Sequence, residues 1–250
     1  MFAFIRGWTD VDRTTRANIR LGAFLTFVAG ATNAGGFLAV GQYTSHMSGM
    51  LSSIADNLVL GRVTLATAAA GAILAFTGGA MTSAILVNWG LRRRLHSAYG
   101  LPLFLESVAL LVFGMAGASI GVFAPLFLPL TVALLCFIMG LQNAVITKIS
   151  RAEIRTTHVT GLITDIGIEL GKLVYINPRD SGRDPVLANR QKLRIHTLLV
   201  SCFFLGGVAG ALGFKYVGFV STVPLAIGLW MLALRPFLKD VRQRLVALGY

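Results

Sequence analysis

The sequence predicts an all-α membrane protein: a polytopic bundle of about six transmembrane helices with two short helices that do not fully cross, built as a 3+3 inverted repeat. Three observations predict it. Hydrophobic residues make up 55 % of the 250 residues and charged residues only 13 %, against about 25 % charge in a soluble domain. Six apolar runs reach about the 20 residues that a spanning helix needs. Two short segments also repeat each other at a constant offset of 112 residues. With a mean hydropathy of +0.74, too few charges are present to cover a water-facing surface. A soluble enzyme, a disordered tail and a fibrous repeat are therefore excluded.

The six runs are Leu21–Val40, Val63–Trp89, Leu101–Phe123, Leu126–Thr147, Ile195–Phe214 and Tyr216–Leu234. Only Glu106 and His196 interrupt them with an ionisable group. Ser45–Gly61 and Thr157–Ile176 are too short in their apolar parts to span.

Net charge is +12. In a soluble protein that would suggest nucleic acid. Here Lys and Arg are expected in cytoplasmic loops, and no nucleic-acid partner is expected. With six spans and the N-terminus inside, 20 of the 22 Lys and Arg lie on one side. They fall at Arg6 to Arg20, Arg92–Arg94, Lys148 to Arg194, and Arg235 to Arg244; only Arg62 and Lys215 lie opposite. Were both short segments to cross, Arg92–Arg94 would change sides. The expectation is a multi-pass protein of the bacterial inner membrane with both termini cytoplasmic, no cleavable signal peptide and the lipid bilayer as its main partner. A homo-oligomer is left open. Cys136 and Cys202 sit inside apolar runs as packing residues. No metal-ligand spacing or nucleotide loop occurs, so no metal or cofactor is expected.

The repeated segments run from Ser45-His46-Met47-Ser48-Gly49 and from Thr157-His158-Val159-Thr160-Gly161. Apolar positions 47, 50, 51, 54 and 58 map onto 159, 162, 163, 166 and 170, one helical stripe in each copy. Upstream, Gly30-Ala31-Thr32-Asn33-Ala34 echoes Gly140-Leu141-Gln142-Asn143-Ala144. Residues 1–250 then form a single membrane domain with half A at 21–123 and half B at 126–234. Three spans per half is an odd number, so half B would enter the membrane in the opposite sense. The plain alternative is chance similarity of two pentamers.

Ser45-His46-Met47-Ser48-Gly49-Met50, Gly140-Leu141-Gln142-Asn143-Ala144 and Thr156-Thr157-His158-Val159-Thr160-Gly161 together resemble the YoaK-like family of bacterial multi-pass membrane proteins. Met50 stands where that family pattern implies Asn. The resemblance covers roughly Leu21 to Leu234 and implies no chemistry, because the family has no established reaction or substrate.

Ionisable residues at membrane depth are functional candidates. His158, Asp165 and Glu169 are spaced by 7 and 4, which places them on one helix face. With Glu106 as a further acid, Asp165 and Glu169 could relay protons or hold an ion. A solvated interfacial face, and for Glu106 an interfacial position at a helix start, are the plainer readings. Asn33, Ser45, His46, Ser48, Gln142, Asn143, Thr157, His158 and Thr160 are the candidate contacts for a small polar or anionic solute. For Asn33, Gln142 and Asn143 interhelical hydrogen bonding is the plainer role. Each His opens a short helix, and both are expected to face one polar region between the halves. A small secondary transporter or channel-like permease, rather than an enzyme, is the leading expectation. A membrane enzyme acting on a lipid or headgroup and a non-transporting scaffold are the alternatives.

Overall fold

A computed structural model describes residues 7–11, 13–150, 154, 156–177 and 184–247. Of the charged residues counted above, Arg6, Arg151, Arg155, Arg179 and Arg183 lie outside the described residues.

All described regular elements are helical: α1 (Thr15–Val40), α2 (Met47–Val59), α3 (Val63–Arg92), α4 (Gly100–Ala118), α5 (Ala124–Ile149), α6 (Val159–Val174), α7 (Arg190–Tyr216), a 3-10 turn (Gly218–Ser221) and α8 (Thr222–Ala247). Six of them are long and apolar enough to cross a membrane, all but α2 and α6. The boundaries follow local chemistry. The Thr14 hydroxyl accepts from Ala17 N–H to start α1, and Gly41 closes it with φ +76°. Asn189 starts α7 by accepting from Lys192 N–H. Two ends differ from expectation. The third span stops at Ala118 rather than Phe123. The last helix begins at Thr222, after the 3-10 turn, and carries its basic tail onward to Ala247.

The directions of the helices can be read from who meets whom. Gly30 lies against Phe203 and Gly207, and Gly35 against Phe214, so α1 and α7 run parallel. Gly79 meets Leu141 and Asn88 accepts from Lys148 Nζ, so α3 and α5 also run parallel. Gly36 lies on Leu135 and Gly22 on Ile154, so α1 and α5 run antiparallel. Gly114 and Gly117 meet Phe219 and Gly100 meets Pro236, so α4 and α8 are antiparallel. The three most extensive packings are α1 with α7, α3 with α5 and α4 with α8. Each joins the first half of the chain to the second.

Two of these packings use one device four times. Phe27-x-x-Gly30, Phe76-x-x-Gly79, Phe137-x-x-Gly140 and Phe203-x-x-Gly206 lie on α1, α3, α5 and α7. Gly30 faces the Phe203 carbonyl and Gly206 the Phe27 carbonyl. Gly140 faces the Phe76 carbonyl and Gly79 the Phe137 carbonyl. A Cβ at any of the four would land on that oxygen. Lipid supplies no hydrophobic drive between helices, so close backbone approach and Cα–H···O contacts hold such crossings. Around them Leu21, Leu25, Leu103, Phe113, Leu135, Met139, Leu199 and Leu229 form a continuous buried core.

One end of the bundle is clasped. Asp240 accepts from the backbone N–H groups of His96 and Ser97 at 2.7 and 2.9 Å. Lys239 pairs with Asp10 at 2.8 Å, and the Thr9 hydroxyl donates to the Leu232 carbonyl. The start of the chain, the α3–α4 turn and the end of α8 therefore share this end. The Lys148–Asn88 contact and the parallel α1–α7 pair add the end of α5 and the start of α7.

Candidate functional site

The two short helices are each tethered by an Asn on the preceding long helix. Asn33 Oδ1 accepts from the Ser45 hydroxyl at 2.8 Å and from Ser45 N–H at 3.3 Å. Asn143 Nδ2 donates to Thr157 Oγ1, and its Oδ1 accepts from Thr156 Oγ1 at 3.2 Å. Ser45 and Thr157 are 112 apart, and Asn33 and Asn143 are 110 apart. The hydroxyls expected to suit the helix starts thus reach back to the Asn side chains. The N-cap positions are His46 and His158, neither with a side-chain capping bond.

Both imidazoles are exposed and lie over the glycine three residues on, His46 over Gly49 and His158 over Gly161. This departs from the expected shared polar region: among the described residues no hydrogen bond links one tether to the other. Ser48 and Thr160 are exposed on the first turns of α2 and α6. His158 does not join Asp165 and Glu169, because it sits outside the helix that carries them.

Asp165 meets partners on α7, and Glu169 meets Lys172 of α6 and the Asn189 N-cap of α7, contacts that sequence reasoning missed. Lys192 Nζ donates to Asp165 Oδ1 at 3.1 Å, and His196 Nδ1 stands 3.5 Å from Asp165 Oδ2. Glu169 is buried; it accepts from Lys172 Nζ at 2.9 Å and from Asn189 N–H at 2.6 Å. The Lys172 ammonium, then the Asn189 N–H, hold its carboxyl below the usual glutamate range despite burial. Asp165, Asn189, Lys192 and His196 line a pocket closed by Asn18 of α1 and Ile154. It presents one carboxylate, one ammonium and one imidazole at the clasped end.

A second pocket lies between α2, α3 and the start of α5, lined by Gln42, Ser53, Leu65, Ala68 and Ala69 among others. Residues 112 further on from Gln42 and Ser53 are Ile154 and Asp165. Phe76 and Gly79 precede Phe203 and Gly206 by 127, and the same step takes Leu65, Ala68 and Ala69 to Lys192, Ile195 and His196. All five of these line the first pocket. The two pockets thus use matching positions and carry opposite chemistry.

Glu106 faces the protein interior. It is fully buried, and its Oε1 accepts from Gln142 Nε2 at 2.9 Å. The helix starts at Gly100, which sets Glu106 about 9 Å along the axis. Among the described residues no three His, Cys, Asp or Glu side chains come together as a metal set.

Six long apolar helices and two tethered short ones define a multi-pass integral membrane protein. The chain belongs to the family described as "Protein of unknown function (DUF1275)", which it matches over residues 21–234. No curated protein and no solved structure matches it.

Proposed function

We propose that the protein is a small secondary transporter or channel-like permease for a small polar or anionic solute, built as a 3+3 inverted repeat in a bacterial inner membrane with both termini cytoplasmic. The observation that carries this reading is the pair of pockets at matching positions of the two halves. The antiparallel run of α1 and α5 supports an inverted relation, the arrangement on which alternating access is built. The gathering of Arg92–Arg94, Lys148 and the start of α7 at the clasped end supports a cytoplasmic assignment for it. In this reading Lys192 attracts the solute, His196 lines its path, Asp165 holds the Lys192 side chain in place, and α2 and α6 move as gates. No bond of the solute is made or broken.

The test is uptake by proteoliposomes of labelled amino acids, small carboxylates and inorganic phosphate. At least one should enter above the empty-vesicle level. Lys192→Met should lower that uptake on the order of tenfold, the scale of losing one desolvated charge contact. Uptake of none of them, with folded protein confirmed, would sink the transport reading.

A further inference from the structure

Glu106 has no exposed surface, yet only one neutral donor serves it. Its Oε2 and the Gln142 Oε1 are both buried without a partner. The other buried carboxylates are compensated: Glu169 by Lys172 and Asn189, Asp240 by two backbone N–H groups and the His96 ring. Among the described side chains, the charged groups on the helices packed most extensively against α4 are Arg92 of α3, Lys148 of α5 and Arg235, Lys239, Asp240 and Arg242 of α8. None is ion-paired with Glu106. An ionised carboxylate here would be an uncompensated charge in a water-poor interior.

The two orphaned atoms are both acceptors, one on each of two hydrogen-bonded planar groups. A single proton answers for both. A carboxylic acid opposite a primary amide closes a ring of two hydrogen bonds. The amide N–H enters the acid carbonyl, and the acid O–H enters the amide carbonyl. The first of these bonds is the one observed, and a proton on Oε2, with the two orphaned oxygens brought within hydrogen-bond reach, would make the second.

We propose that Glu106 and Gln142 form a proton-binding site at the α4–α5 contact. On loading, a proton from water bonds to the Glu106 Oε2 lone pair. On release the O–H bond breaks, the electron pair stays on the carboxylate, and the proton returns to water admitted between the helices. Gln142 is followed directly by Asn143, the tether of α6. A shift of α5 that opens the acid–amide ring therefore also moves the start of α6. For its purpose, though not its chemistry, the site rests on the transport reading.

Infrared spectroscopy of the reconstituted protein in D2O at neutral pH tests it. The native protein should show a protonated-carboxyl C=O band. Glu106→Gln, which keeps the shape and replaces the ring with an amide pair, should lose that band while unfolding at an unchanged temperature. Gln142→Leu should keep the band and shift it upward as the C=O loses its donor. Absence of the band in the native protein, its survival in Glu106→Gln, or its appearance only when sodium is withdrawn would overturn the proposal. A band that behaves as expected beside a failed uptake screen overturns the transport reading alone. Uptake without the band overturns the proton site alone.

Discussion

The pocket at the clasped end and the one between α2, α3 and α5 share a framework and differ in chemistry. Asp165, Lys192 and His196 in the first stand where Ser53, Leu65 and Ala69 stand in the second. The supporting parts are alike: a tethering Asn, a His at the helix start, and a Phe-x-x-Gly crossing. What differs is the set of side chains that reach into the opening. The backbone framework thus tolerates either chemistry, and polarity at one end is a local choice of three residues. A solute would meet charge at one end and a mostly apolar lining at the other.

The crossings can be broken first. Gly140→Ala and Gly206→Ala each push a Cβ onto a facing carbonyl and should cost at least about 1–3 kcal/mol. Gly71→Ala and Gly78→Ala, which meet nothing within 4 Å, should not lower stability. Thermal unfolding in detergent reads both. Similar losses at the two crossings are expected if they are equivalent parts; a large loss at one alone would break the comparison.

The chemistry can be exchanged next. Lys192→Leu makes the charged pocket resemble its counterpart and should abolish most uptake. The Lys192–Asp165 pair is partly exposed, at 40 and 35 %, so stability should change by no more than about 1 kcal/mol. A large drop in melting temperature would mean that the pair is structural.

Smaller effects should follow from the tethers. Asn33→Leu and Asn143→Leu each remove hydrogen bonds worth about 1 kcal/mol apiece. Hydrogen exchange should quicken in residues 47–59 for the first and 159–174 for the second. Spread of either effect to the other short helix would contradict separate tethers.

The smallest is a pH effect. Glu169 has its carboxyl held below the usual range in the folded protein. Its contribution is therefore present above the ordinary glutamate range and lost as pH falls through the depressed value. Acidification should loosen α6 from α7. Asn57 occupies the matching position on α2 and does not titrate there. Limited proteolysis of α2 and α6 at falling pH measures the difference; equal loosening of both would reject Glu169 as the cause.

The sequence made the six spans legible because each is a long uncharged run, and the short helices because they repeat. Asn33 and Asn143 were legible as a matched pair, though their partners were not. Helix period alone placed His158 with Asp165 and Glu169, but it cannot tell a residue inside the helix from its cap. Lys192 and His196 went unseen because their contacts join α6 to α7 across a loop. Glu106 was legible as an acid near the start of a run, but its burial against Gln142 was not, because position along a run says nothing about which face a residue takes. The four Phe-x-x-Gly copies were visible as letters; their meaning needed the crossings.

The clasp at Asp240, Lys239 and Asp10 has a mechanical consequence. The two halves are already joined by the chain between α4 and α5. The clasp joins them again at the opposite end, so the long helices form a closed loop of constraints. A structure closed in this way resists splaying as a clam shell does not. Motion is then cheapest in the parts outside the loop, α2 and α6, which are held by the Asn33 and Asn143 tethers and, for α6, by the Asp165 and Glu169 contacts.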